Sequence, residues 1–262
     1  MKTSIFGLYS LAFFIFTCMS CSTETNLFSV QQDIEFGQNL DNEIQNRTAE
    51  FTILNESLYS DAYIYLYAMR DEILIAPQLN YRDRYEWELR ILQNDSLVNA
   101  FCNPGGYIYI YTGLLKYLSE SDQLAGMLAQ LIAHCDQRQI TASLTALYGT
   151  ETLMQVANQT ASTATMNDVL SNMQQVYFTK EQVAVANQLS VDFMRICKYA
   201  CNAAALYLGA LNPQNPTWGV QGPLQTSIAE INQRATDYAC STDTWHSTGD
   251  NGDYAAMLST LP

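Results

Sequence analysis

The spacing of apolar positions changes twice along this chain, and each change marks a change of element. Ile34, Gly37, Leu40 and Ile44 recur at helical spacing, and Ser29-Val30-Gln31-Gln32 ahead of them has the Ser-x-x-Gln form of a capping box. A first helix running to about residue 45 is predicted. A second covers residues 57–74 and is stopped by Pro77. The period then falls to two, because Tyr85, Trp87, Leu89 and Ile91 alternate with Glu86, Glu88 and Arg90 as in a half-buried strand. After a turn at Asn94-Asp95, two more strands are expected at 97–101 and 107–112, separated by Asn103-Pro104-Gly105-Gly106. Within the last strand, Tyr107, Tyr109 and Tyr111 project to one face and Ile108 and Ile110 to the other. That pattern fits a plain amphipathic strand, and it fits a sheet edge with an aromatic face open to a peptide. Helical spacing returns with Leu124, Met127, Leu128, Leu131 and Cys135 on one side of a helix starting near residue 121, while Gln130 and His134 share the neighbouring stripe. Residues 149–175 have weak periodicity and read as a helical hairpin or mobile surface. A third long helix is expected over 180–211, ended by Asn212-Pro213, and a polar loop over 241–253.

With 262 residues, 48% of them hydrophobic, the chain can bury a sizeable core as one domain. Its formal net charge of −14 repels phosphate backbones, so nucleic-acid binding is not expected. The first residues read as an address: Lys2 is the charged start, residues 5–16 are the apolar stretch, and Ser20-Cys21 places a small residue before a cysteine. So short an apolar run does not span a bilayer. It resembles a bacterial lipoprotein signal, with Cys21 as the lipidated first residue of the mature chain; plain secretion is the alternative. The expected organisation is a signal peptide at 1–20, a tether at 21–28 and one domain over 29–262. Beyond Cys21 the cysteines are Cys102, Cys135, Cys197, Cys201 and Cys240, an odd number without regular spacing, which does not read as a disulfide framework. Cys197 and Cys201, one helical turn apart, read as small core residues in preference to half a metal site.

The stretch 122–139 carries the chemistry of interest. Zinc-peptidase helices hold H-E-x-x-H, two imidazoles one turn apart with a glutamate base between them. Here the five positions read Gln130-Leu131-Ile132-Ala133-His134. No Ser-His-Asp or Cys-His arrangement replaces the missing groups, since Cys135 and His134 are consecutive in a helix and face apart. P-loop, Rossmann and EF-hand patterns are also lacking.

Four blocks in order resemble the zinc endopeptidase family that contains the CAAX prenyl endopeptidase and the HtpX protease, in particular its soluble, periplasmic BepA-like branch. They are residues 29–37, residues 99–115 with the Asn-Pro-Gly-Gly-Tyr turn, residues 123–139, and residues 178–187, together covering about 29–211. Carried over position by position, the resemblance puts the family's first histidine ligand on Gln130, its catalytic glutamate on Leu131, its second histidine on His134, its glutamate ligand on Val183 and a supporting aspartate on Asn187. Only His134 keeps its residue type. Such a site needs three protein ligands, a water and a base, so neither a resident metal nor another cofactor is expected, and no catalytic residue is assigned. The family's downstream His-Pro element is not recognisable, since Ser247 follows His246.

The resemblance implies an α+β, zincin-like peptidase fold with a small, mostly antiparallel sheet packed on long helices. The leading expectation is a catalytically inactive peptidase homologue, an exported lipoprotein on the periplasmic or cell-surface side, attached to the membrane through its lipid alone. It would bind a protein or peptide partner at the envelope. In the active family an extended substrate pairs with the strand after the Pro-Gly-Gly turn, which here comprises Gly106, Tyr107, Ile108, Tyr109, Ile110 and Tyr111. The alternatives are a divergent hydrolase with a relocated site and a purely structural envelope lipoprotein.

Overall fold

A computed structural model describes residue 26 and residues 28–211, 224–240 and 250–262. The signal peptide, Cys21, residues 212–223 with Pro213, and residues 241–249 of the polar tail with His246 lie outside the described residues. Helix α1 (Val30–Asn46) opens with both halves of the Ser29/Gln32 capping box and buries Phe36, Leu40 and Ile44. Helix α2 (Ser60–Leu74) follows. Three strands come next: β1 (Leu89–Leu92), β2 (Ala100–Asn103) and β3 (Tyr107–Tyr111). The rest is helical: α3 (Thr112–Tyr117), α4 (Ser121–Asp136), α5 (Gln139–Tyr148), α6 (Thr150–Ala157), α7 (Thr163–Met173), α8 (Lys180–Met194), α9 (Ala203–Ala210), α10 (Leu224–Asp237) and α11 (Asp250–Leu258). This is the expected α+β class, a small sheet set against many helices.

The sheet is mixed and ordered β1-β3-β2, with β1 parallel and β2 antiparallel to β3. Its middle strand is therefore the one read as an open edge. Both sides of β3 are already paired and all five of its residues are buried, so Tyr107, Ile108, Tyr109, Ile110 and Tyr111 cannot accept an added peptide strand without losing β1 or β2. The outer side of β1 is itself bridged by Ile53, with Leu54 N–H donating to the Ile91 carbonyl. Tyr85, Trp87, Leu89 and Ile91 are all buried as their alternation requires, yet the ladder starts only at Leu89. Trp87 sits in the left-handed region (φ 49°) and bends the backbone. Its carbonyl accepts from Arg70 and its indole donates to the Arg82 carbonyl.

Two carboxylates on α1 join the sheet and helices to it. Asp41 accepts both Arg90 nitrogens at 2.6 Å and the Tyr109 hydroxyl at 2.6 Å, while Asp33 accepts from Arg138 just ahead of α5. Between them Gly37 lies against the Pro104–Gly106 turn so closely that a Cβ would stand 1.7 Å from the Pro104 carbonyl oxygen. Residues 149–175, read as hairpin or mobile surface, form α6 and α7, which bury Leu153, Val156, Val169, Leu170 and Met173.

At the centre lies α4, with 14 of its 16 residues buried. The long helix expected over 180–211 is broken after Met194, because the Asp122 carboxylate on α4 accepts the Ala200 N–H at 2.9 Å and turns the chain back as α9. There α9 crosses α4 at Gly126, where a Cβ would lie 2.1–2.4 Å from the backbone of Ala203 and Ala204. Backbone cannot yield as a flexible side chain can. Gly126→Ala is expected to cost about 2–3 kcal/mol or prevent folding, whereas Gly209→Ala, where a Cβ meets nothing within 4 Å, should be neutral or stabilising by up to about 1 kcal/mol. Chemical denaturation of the two variants checks the contrast, and equal effects would show that α4 and α9 do not approach this closely.

Candidate functional site

The two polar residues on one stripe of α4 end in a packed network. Gln130 is half-buried and its Nε2 donates to Asn187 Oδ1 on α8 at 2.8 Å. Asn187, itself buried, donates through Nδ2 to Glu230 Oε2 on α10 at 3.4 Å. One turn along, His134 is buried with its ring stacked on Phe178, centroids 3.9 Å apart and planes 12° apart. Its Nδ1 lies 2.6 Å from Gln139 Oε1, and Gln139 Nε2 donates to the Gln182 carbonyl. With its nitrogen so engaged, the Gln139 amide presents oxygen to the ring, which fixes the His134 tautomer with the proton on Nδ1. Burial pushes the His134 pKa down to about 4, against the opposing hydrogen bond to Gln139.

The remaining carried-over positions hold hydrocarbon. Leu131 is buried, and Val183 lies on the buried face of α8. The structure thus brings Gln130 and Asn187 into contact and sets His134 a turn away. What surrounds them does not fit zinc: Gln130 is a neutral amide engaged with another amide, Leu131 and Val183 offer no donor atom, and one imidazole is far short of three ligands. Among the described residues, no three His, Cys, Asp or Glu side chains are gathered so as to hold a metal ion.

The cysteines do not rebuild the site. Cys102 and Cys135 are buried side by side between β2 and α4, their thiols donating to the carbonyls of Leu131 and Asn103; burial raises the Cys102 thiol well above its ordinary value. Cys197 is a buried residue as expected, its pKa pushed up to about 12 by burial. Cys201 corrects the core reading, because it forms a disulfide with Cys240. Two links join α8 to α10, Asn187–Glu230 and Asp192–Arg234 (2.7 Å), and two more join the segments that follow those helices, the Arg195 guanidinium over the Tyr238 ring (4.0 Å) and this disulfide. Gln139, Phe178, Gln182 and Glu230 were not singled out from the sequence. Phe178 and Gln182 stand inside the fourth resembling block, and Gln139 ends the third. Glu230 carries no local signal.

Helix α4, buried on nearly every side, faces α8 through two of the positions to which the resemblance assigns metal-site residues. The family model described as Peptidase family M48 matches residues 68–235, and the chain belongs to that family. It is also similar to a protein of Vibrio cholerae serotype O1 named as a beta-barrel assembly-enhancing protease, with 25% identity over 178 residues, 58% of this chain and 37% of that protein. A shorter stretch of 59 residues is 32% identical to the mitochondrial metalloendopeptidase OMA1 of Arabidopsis thaliana, covering 22% of this chain and 12% of the relative. The aligned parts thus span well under half the length of these relatives.

The depressed pKa of His134 has a consequence for stability. Its folded value of about 4 lies below the ordinary 6.5, so between these values the unfolded chain binds more protons and stability falls as pH falls. The contribution is intact above pH 6.5 and is lost as the pH is lowered toward 4, amounting to about 2 kcal/mol between pH 7 and pH 5. Subtracting the pH profile of His134→Gln from that of the wild type isolates it. Parallel profiles would mean that His134 is not held neutral.

Proposed function

We propose that this peptidase-related chain is a non-catalytic member of its family, an exported lipoprotein anchored through Cys21 that binds a segment of a partner protein at the cell envelope. The observation that carries the reading is the closed network at the old metal position: Gln130 bound to Asn187, and His134 held between Gln139 and Phe178. Each polar group there already has a protein partner, and displacing them for a metal would strand buried amides. The Cys201–Cys240 disulfide supports export, since such bonds persist in oxidising compartments. No helix among the described residues is long and apolar enough to cross a membrane, consistent with attachment by lipid alone. The name of the Vibrio relative couples a protease to beta-barrel assembly; a partner among envelope proteins suits an exported homologue that has kept the scaffold.

Incubated with an unfolded protein substrate and zinc, the full chain is expected to produce no cleavage that a chelator abolishes, and reproducible chelator-sensitive cleavage would reject the non-catalytic reading. Separately, Cys21→Ala should move the protein from the membrane fraction to the soluble exported fraction. Unchanged fractionation would place the anchor elsewhere.

A further inference from the structure

Beside the closed site a groove of about 450 Å³ opens to solvent. One wall is α5, through Leu144, Ala146 and Leu147. The other is the stretch leading from α7 into α8, through Val176, Tyr177 and Thr179. Phe178, between two of these residues, is the ring stacked on His134, so the groove adjoins the position where the family's chemistry would lie. Two of its large apolar side chains are strongly exposed, Tyr177 at 75% and Leu147 at 62%. Leaving both in water along one groove is unfavourable unless something covers them.

The form and charge of the groove define what would cover it. Residues 176–179 belong to neither a helix nor the sheet, and Thr179 is extended (φ −68°, ψ 162°). Thr179 spends its own N–H and carbonyl on the cap of α8, so this non-helical wall offers side chains to an occupant, and an extended peptide can follow it with alternate side chains turned in. Among the described residues no charged side chain lines the groove, although the chain as a whole carries −14. At its ends Asp168, which accepts from the Tyr148 hydroxyl, and Glu181, in the first turn of α8, outnumber Lys180. An uncharged slot in an acidic surface suits an apolar segment with basic flanks and disfavours an acidic one.

We infer that the groove between α5 and the Val176–Thr179 wall is where this protein takes its partner, as an extended segment with alternating apolar side chains and basic flanking residues. The inference rests on the non-catalytic binding reading and moves the contact away from β3, which is paired on both sides.

The test uses the full chain and a fluorescein-labelled synthetic peptide alternating valine and serine and ending in two lysines, with a second peptide ending in two glutamates. Fluorescence anisotropy is expected to show saturable binding of the lysine peptide, weakened about tenfold or more by Tyr177→Ser combined with Leu147→Ser and unchanged by Ile64→Ser, an exposed apolar residue of the separate groove between α2 and α11. The glutamate peptide should bind several-fold more weakly at low salt, with the difference shrinking as salt is added. Since both groove residues are exposed, thermal melts of the double variant should match the wild type. A well-folded double variant that binds the lysine peptide as the wild type does, or a wild type that binds neither peptide, would overturn the inference and leave the non-catalytic reading standing. Concentration-dependent dimerisation abolished by the double variant would overturn it too, by showing that a second copy occupies the groove. Chelator-sensitive cleavage of the lysine peptide would overturn both.

Discussion

The close crossing of α4 and α9 is the constraint on which the rest of this molecule depends. Only a glycine at position 126 lets the backbone of Ala203 and Ala204 lie against α4, and the turn that brings them there is held by Asp122 of the same helix. With α9 on one side, α8 and α5 on others and the sheet beyond, α4 is enclosed almost completely. A helix in that position has little room for an unsatisfied polar group. His134, buried, is therefore under a strict requirement to find a partner inside the protein, and the half-buried Gln130 is under a weaker one.

That requirement is met by amides and an aromatic ring. Gln130 reaches Asn187, Asn187 reaches Glu230, and His134 is fixed by Gln139 and covered by Phe178. Keeping the imidazole neutral is part of the same solution, because burial against Phe178 disfavours the charged ring by more than the hydrogen bond to Gln139 favours it. These contacts form one set across α4, α8 and α10. Restoring a single ligand would leave the others still bonded to one another. The disulfide and the Asp192–Arg234 pair extend the link between α8 and α10 beyond the site, so Glu230 is held by more than its own long hydrogen bond.

Local signals in the sequence were sufficient for elements whose causes are local. The Ser29/Gln32 box, the buried alternation from Tyr85 to Ile91 and the apolar stripe of α4 are all present. Features set by distant partners were not legible. The middle position of β3 depends on which strands arrive on either side, and the break after Met194 depends on a carboxylate more than seventy residues earlier. The left-handed Trp87 is fixed by contacts from Arg70 and Arg82. The one disulfide among the described residues, beside three buried thiols, has no signature of spacing or parity. At the site, the residue types at 130, 131, 134, 183 and 187 could be read directly, but the partners Gln139 and Glu230 could be found only in three dimensions.

The central claim, that protein groups have taken over the role of the metal on this scaffold, is tested most directly by the metal itself. The full chain, purified without chelator, is assayed for bound metal and then melted alone, with excess zinc and with a chelator. The account predicts far less than one zinc per chain and three melting temperatures that agree to within about 1 °C, since an ion that does not bind the native state cannot stabilise it. Near-stoichiometric zinc, together with a melting temperature that drops by several degrees on chelation and recovers when zinc is returned, would contradict it.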